Sequence, residues 1–209
     1  MPDLEIDAPD HDDLDLEATV DGDDADAAPA WQDAADIGQD AAVAAWAEAA
    51  RPILEDAARV YQGVVTQKEL CAQVQDDAGV RTKQQIRHWV SDVLDVVAAD
   101  CTARSEPLLS SLVVNAMGSV GDNYAVIVEK HTGTAPVDGD DHAAAQRLAC
   151  YRQFDAKGLP EDGGFAALTP RLAGARARAK KARIAERVLP QCPDCFMELP
   201  ATGVCDNCA

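Results

Sequence analysis

Aromatic side chains are scarce in this chain of 209 residues, which has only three Trp, three Tyr and three Phe. A core must therefore be built from Leu, Val, Ile and Ala, with the few rings as isolated anchors. Long apolar runs are missing too. No stretch reaches the roughly eighteen apolar residues of a membrane span, so no membrane association is expected. The first forty residues contain no Lys or Arg and lack the basic-then-apolar order of a secretory leader. Common catalytic patterns are also absent: no phosphate-binding loop, no Gly-x-Gly-x-x-Gly after a strand, no His-Glu-x-x-His. His11, His88, His131 and His142 form no motif with the cysteines or carboxylates. The expectation is a protein that is not an enzyme.

Basic residues are in deficit, but unevenly. The net charge is −19. Residues 1–40 hold fifteen Asp or Glu and no base, while the other 169 residues hold twenty-two acids and eighteen bases, a net of −4. The acidity is thus mostly a tail of Asp and Ala with little to bury, expected to be disordered over residues 1–40. Such a tail either solubilises the chain or competes with nucleic acid for a basic surface of the same molecule, an autoinhibitory role. A near-neutral body remains compatible with nucleic acid.

Cysteines supply the sharpest pattern. Cys192 and Cys195, then Cys205 and Cys208, form two C-x-x-C pairs separated by nine residues. Each pair sets two thiolates on one tight turn, and a soft tetrahedral ion such as Zn²⁺ closes two such turns into a knuckle. Four thiolates fill the coordination shell, so the zinc is structural. Pro200 and Gly203 supply a turn, and Leu199 and Val204 are expected to cover the metal turns. The alternatives are free thiols or two disulfides, and disulfides would need an oxidising compartment. Cys71, Cys101 and Cys150 sit singly on predicted helices and are expected as buried free thiols, which points to a cytoplasmic location.

Between tail and knuckle the patterning is helical. A helix is expected over Ala41–Ala50, with a new start at Pro52 running to Tyr61. Thr66 and Glu69 form a capping box that opens a helix to about Asp77, burying Leu70, Cys71 and Val74. Thr82 and Gln85 repeat the pattern and predict a long helix to about Arg104. Its buried stripe is Ile86, Trp89, Val90, Val93, Leu94, Val97 and Cys101; Gln84, Arg87, His88, Ser91 and Asp95 lie opposite. A short helix, a turn and a longer helix have the layout of a helix-turn-helix. Leu108–Asn115 reads as a strand and, with Ser119–Val120 after a Gly118 turn, as a wing, before a short helix to Lys130. Residues 131–141 read as a connector and 142–156 as a helix. Thr169-Pro170 opens a last helix to about Leu189. That helix carries Arg171, Arg176, Arg178, Lys180, Lys181, Arg183 and Arg187 against Glu186 alone. Arg176, Lys180, Arg183 and Arg187 form one stripe suited to phosphates or to an acidic partner.

Three stretches carry a family resemblance: Gly63-Val64-Val65-Thr66-Gln67-Lys68-Glu69-Leu70, then Leu112-Val113-Val114, then Gly121-Asp122-Asn123-Tyr124. Over about sixty residues the chain resembles the DNA-binding half of the O6-alkylguanine-DNA alkyltransferases and alkyltransferase-like proteins. The resemblance implies a winged-helix shape and duplex binding. The family's Pro-Cys-His-Arg nucleophile motif falls on Leu109-Ser110-Ser111-Leu112, without a thiol, so alkyl transfer is not implied. The family's tyrosine at the helix start is Gln67 here.

The expected architecture is mainly α: a winged helix-turn-helix core with a small β wing over 41–131, a linker over 132–141, a helical region with the basic helix over 142–190, and the zinc knuckle over 191–209. The expected function is non-catalytic binding of double-stranded DNA. Lys83, Gln84, Arg87, His88 and Ser91 are the readers, and Arg176, Lys180, Arg183 and Arg187 provide sequence-independent affinity. The alternative is a protein-interaction adaptor docking partners through the winged helix and the knuckle.

Overall fold

The computed structural model describes residues 31–186, 191–197, 199 and 203–208. The fold is mainly helical, and within these residues no helix is long and apolar enough to cross a membrane. Its centre is α2 (Gln39–Ala58), whose Ala42, Trp46, Ala50, Leu54 and Ala58 are fully buried. Small side chains on that stripe let neighbouring helices approach closely. Pro52 lies inside α2 rather than restarting it. It lacks one N–H but already has helical φ, and the packing on both sides carries the helix through.

Trp46 does most to organise this centre. Its indole N–H donates to the Val80 carbonyl at 2.8 Å, and its ring lies 4.3 Å from that of Trp89. Val80–Arg81 is strand β3, paired in parallel with β1 (Gln32–Asp33). A four-residue helix α1 (Ala34–Ile37) follows β1, with Asp33 as its cap. The described fold therefore includes residues ahead of 41, down to Trp31, whose ring lies under the Arg81 guanidinium. Acidic composition hid this segment, because its ordering comes from a backbone ladder and one ring. The remaining tail, residues 1–30, lies outside the described residues.

The first capping box forms as expected. Thr66 accepts from the Glu69 N–H, the Glu69 carboxylate answers the Thr66 N–H, and α3 (Gln67–Asp77) buries Leu70, Cys71 and Val74. The second does not form. The Thr82 N–H donates to the Gln75 side chain, and the Thr82 hydroxyl accepts only two residues on, from Gln84. The chain makes a short 3₁₀ turn, Ile86–His88, and α4 starts at Val90, running to Ala103. Seating Trp89 on Trp46 overrides the local cap signal. The predicted stripe of α4 is nonetheless buried from Trp89 to Cys101.

Leu108–Asn115 is not a wing strand. Leu109–Leu112 form a 3₁₀ turn, and only Val113–Val114 (β4) are extended, pairing in parallel with Val65–Thr66 (β2). Every residue from Leu108 to Val114 is buried, so the two-sided exposure of a wing is lost. Asn115 to Ser119 is a tight turn closed by the Asn115 side chain, and α5 (Asp122–Thr132) follows. Helix α6 (Gly139–Gln153) starts inside the expected linker, capped by Asp138. Its Ala143, Cys150 and Tyr151 join the same core as α2, so 142–156 is not a separate region. Helix α7 (Pro170–Glu186) opens at Thr169-Pro170 as expected.

Replacing Trp46 with Ala removes a fully buried ring, its stack and a buried hydrogen bond. Urea unfolding of Trp46→Ala is expected to show a loss of about 3–5 kcal/mol.

Candidate functional site

A recess of about 200 Å³ opens between the starts of α4 and α5. Its buried lining is Val90, Leu94, Ser110, Val120, Tyr124 and Ile127. Gln67, Arg87, Ser91, Asp122 and Asn123 stand around its mouth. Neither α4 nor α5 has a side-chain cap at its N-terminus, so two uncapped helix starts border the opening, with Asp92 and Asp122 in their first turns. The Asn123 amide donates to the Ser91 hydroxyl at 2.6 Å, latching α5 to α4 beside it. Lining it, Ser110 is 1 % exposed, and its hydroxyl has no hydrogen-bond partner among the described residues. A buried hydroxyl left this way costs about 1–3 kcal/mol unless something binds it.

The recess is braced from behind by the C-terminal half. Asp140 accepts from the Val120 N–H and the Ser119 hydroxyl at 2.9 and 3.1 Å. Arg147, 3 % exposed, donates to the Ser111 carbonyl at 3.0 Å and to the Ala167 carbonyl at 3.3 Å. Burial lowers the pKa of this guanidinium, and among the described residues no carboxylate forms a salt bridge with it. Thr169 donates to the Gly118 carbonyl, and a Cβ at Gly118 would fall 2.2 Å from its hydroxyl, so this close approach requires glycine. Behind the recess the Tyr124 hydroxyl meets His142 Nδ1 at 3.1 Å. Burial pushes the Tyr124 phenol up and the His142 imidazole down.

The residues expected to contact DNA divide into groups. Lys83, Gln84, Arg87 and His88 are exposed, but on the irregular approach to α4 and its 3₁₀ turn rather than on a long helix. Only Arg87 and Ser91 reach the recess. On the same helix, burial raises the Asp95 carboxyl, but hydrogen bonds from Lys130 and His131 outweigh that and hold it below its ordinary range. Arg176 does not belong to an open stripe. It is held by Asp138 and Asp141 at 2.8 Å and Asp140 at 3.3 Å, and so pins α7 to the start of α6. Lys180 and Arg183 are exposed, whereas Arg187 lies outside the described residues. Ser110, Asn123 and Tyr124 are the site residues that the sequence reading passed over. No local pattern marks them, because Ser110 lies in a buried 3₁₀ turn and Asn123 and Tyr124 meet it only through the fold.

The second site is the cysteine knuckle. The Sγ atoms of Cys192, Cys195, Cys205 and Cys208 lie within 4.8 Å of one another, and the four could hold a metal ion. Bonds of about 2.3 Å to a tetrahedral ion would place sulfurs roughly 3.8 Å apart, so the set fits with small adjustments. The first turn is closed by Phe196 N–H to the Cys192 carbonyl and Cys192 N–H to the Met197 carbonyl. The Met197 N–H, then the Cys208 and Cys205 thiols, draw the Cys195 thiol down to about 6. Cys208 is pushed up to about 12, chiefly by its hydrogen bond to Cys195. Val204 is 57 % exposed and does not cover the metal turns. Pro200 lies outside the described residues. Cys71, Cys101 and Cys150 are buried free thiols, as expected. Burial raises all three, Cys71 and Cys150 to about 12.

No protein-family model, no curated protein and no solved structure matches this chain.

Metal binding at the knuckle must displace protons from more than one thiol. Affinity for a divalent ion is expected to fall more than tenfold for each pH unit below neutrality, measured by transfer to a chromophoric chelator.

Proposed function

We propose that this chain is a non-catalytic DNA-binding protein that receives one displaced, modified base in the recess between α4 and α5. The observation that carries this reading is the Ser110 hydroxyl, buried and, among the described residues, unpartnered in the lining of a small cavity with Arg87 at its mouth. The volume is below the roughly 300–1,000 Å³ usual for drug-sized ligands and suits a single flat ring system. A base can reach such a pocket only after leaving the stack, and modified bases leave most easily. The uncapped starts of α4 and α5 and the exposed Lys83, Arg87 and His88 favour backbone phosphates around the opening. Lys180, Arg183 and Arg187 add affinity that does not depend on sequence.

The resemblance to the alkyltransferases gives the same answer from the sequence side. The residues that fall on that family's nucleophile motif, Leu109–Leu112, form the turn that presents Ser110 to the recess. A hydroxyl without an activating base does not accept an alkyl group. Cys101 and Cys150 are buried and raised, so neither supplies a thiolate instead. The chain therefore holds a lesion and does not repair it. The acidic tail competes with duplex for Lys180, Arg183 and their neighbours, which makes binding adjustable. The knuckle carries structural Zn²⁺, which suits four thiolates and a closed site.

The test is fluorescence anisotropy of the full chain with two duplexes, one unmodified and one carrying a single O6-methylguanine. The modified duplex is expected to bind at least tenfold more tightly. Affinity for both is expected to drop steeply between 50 and 200 mM salt, as about six to ten phosphate contacts would require. Ser110→Leu, which fills the recess, is expected to abolish the preference and leave the unmodified duplex unaffected, with thermal unfolding confirming the fold. Equal affinities in the parent chain would overturn the pocket. No duplex binding at low salt would overturn the DNA reading altogether.

A further inference from the structure

The knuckle carries two unfavourable features that nothing else in the described residues relieves. Phe196 sits at φ +58°, in the left-handed region where a bulky side chain is strained and glycine is not. That conformation is what returns the Met197 carbonyl to the Cys192 N–H. Yet the position holds a ring that is 74 % exposed, beside Met197 at 60 % and Val204 at 57 %. A strained backbone and an uncovered apolar tip at one residue point to a role outside the monomer.

Charge decides what covers the tip. Residues 191–209 contain Asp194, Glu198 and Asp206 and no Lys, Arg or His. Four thiolates around a divalent ion add two further negative charges. A phosphate backbone is repelled by such a surface, so the occupant is a polypeptide that sets apolar and basic side chains on one face. The chain itself contains one. On α7, Ala173, Ala177 and Ile184 lie on one exposed stripe, and Lys180 and Lys181 flank Ile184 one turn earlier. Ile184 is 65 % exposed, so this surface is as uncovered in the single chain as the knuckle tip.

We infer that the knuckle tip formed by Phe196, Met197 and Val204 docks the Ala177–Ile184 stripe of α7 from a second copy of this chain. The exchange is reciprocal: each copy offers one knuckle and one α7, and the pair closes with two-fold symmetry. Asp194 and Asp206 would pair with Lys180 and Lys181, which lie between Ala177 and Ile184 on the stripe, and these pairs make the dimer salt-sensitive. This dimer needs the metal-bound knuckle and engages Lys180, which the DNA reading also uses, so it is measured without DNA and its failure is separate from a failure to bind duplex.

The measurement is sedimentation velocity of the full chain, reduced and loaded with Zn²⁺, over about 1–100 µM and at low and high salt. A concentration-dependent dimer is expected, weakened at least tenfold by high salt. Phe196→Gly removes the ring and the strain together. It is expected to keep its metal and its thermal stability while weakening the dimer more than tenfold. Ile184→Ser, on the opposing surface, is expected to weaken it as much. Should Phe196→Gly lose the ion, Phe196→Asn decides in its place, because asparagine also tolerates the left-handed conformation. A chain that stays monomeric throughout at low salt overturns the inference. So does a dimer that survives both the knuckle and the α7 substitution.

Discussion

The contact between Trp46 and Trp89 is the constraint from which the recess follows. Trp46 reaches it from the middle of a helix lined with alanine, and its indole N–H also fixes the Val80 carbonyl. With that carbonyl held, β3 pairs with β1 and the chain leaves Arg81 in a set direction. Trp89 must then enter the core from a segment only eight residues long. A regular helix from Thr82 cannot deliver it, so the chain takes a 3₁₀ turn and α4 begins late, at Val90, without a cap. The gap left by those missing turns is where Arg87 and Ser91 meet the start of α5. The cavity is thus a consequence of core packing, placed at the end of one helix by a ring buried under another.

Two signals governed what could be read from the chain alone. Local reciprocal bonding was legible wherever no tertiary demand opposed it, as at Thr66 with Glu69 and at Thr169 before Pro170. The apolar stripe of α4 and the spacing of the four knuckle cysteines were equally plain, because each depends on period alone. The second capping pattern, Thr82 with Gln85, failed because Gln75 took the Thr82 N–H first. The run Leu108 to Val114 has strand composition, yet it is buried on every side, and composition does not distinguish a wing from an internal turn. The acidic count over residues 1–40 hid Trp31 and the β1 ladder, since one ring and two backbone pairings leave no trace in charge. Arg147 and Arg176 read as surface bases. One is buried against carbonyls and the other is held by three aspartates, contacts that join residues about twenty to forty positions apart and have no local pattern.

Charge pairing changes the meaning of the overall balance. Arg51 is engaged by Glu55, Asp100 and Glu106, Asp95 by Lys130 and His131, and Arg176 by the α6 aspartates. These pairs are internal struts between helices. The bases left outside them are concentrated in two places, the approach to α4 and the outer faces of α7. A chain of net charge −19 can still present positive surface, because its acids are concentrated in residues 1–40 and several of the others are paired between helices.

Asp140 links these places. One carboxylate accepts from Ser119 and Val120, which wall the recess, and also from Arg176, which fixes α7. Arg147 and Thr169 repeat the connection from the other side, tying Ser111 and Gly118 to the strap that leads into α7. The recess wall and the basic helix are consequently parts of one rigid assembly. Asp140 thus bonds both to the recess wall and to the anchor of α7. That coupling is why Arg176, the first residue of the expected stripe, serves the site better as an anchor than as a phosphate contact. It fixes α7 on the start of α6, so the remaining bases of that helix are carried on an anchored element.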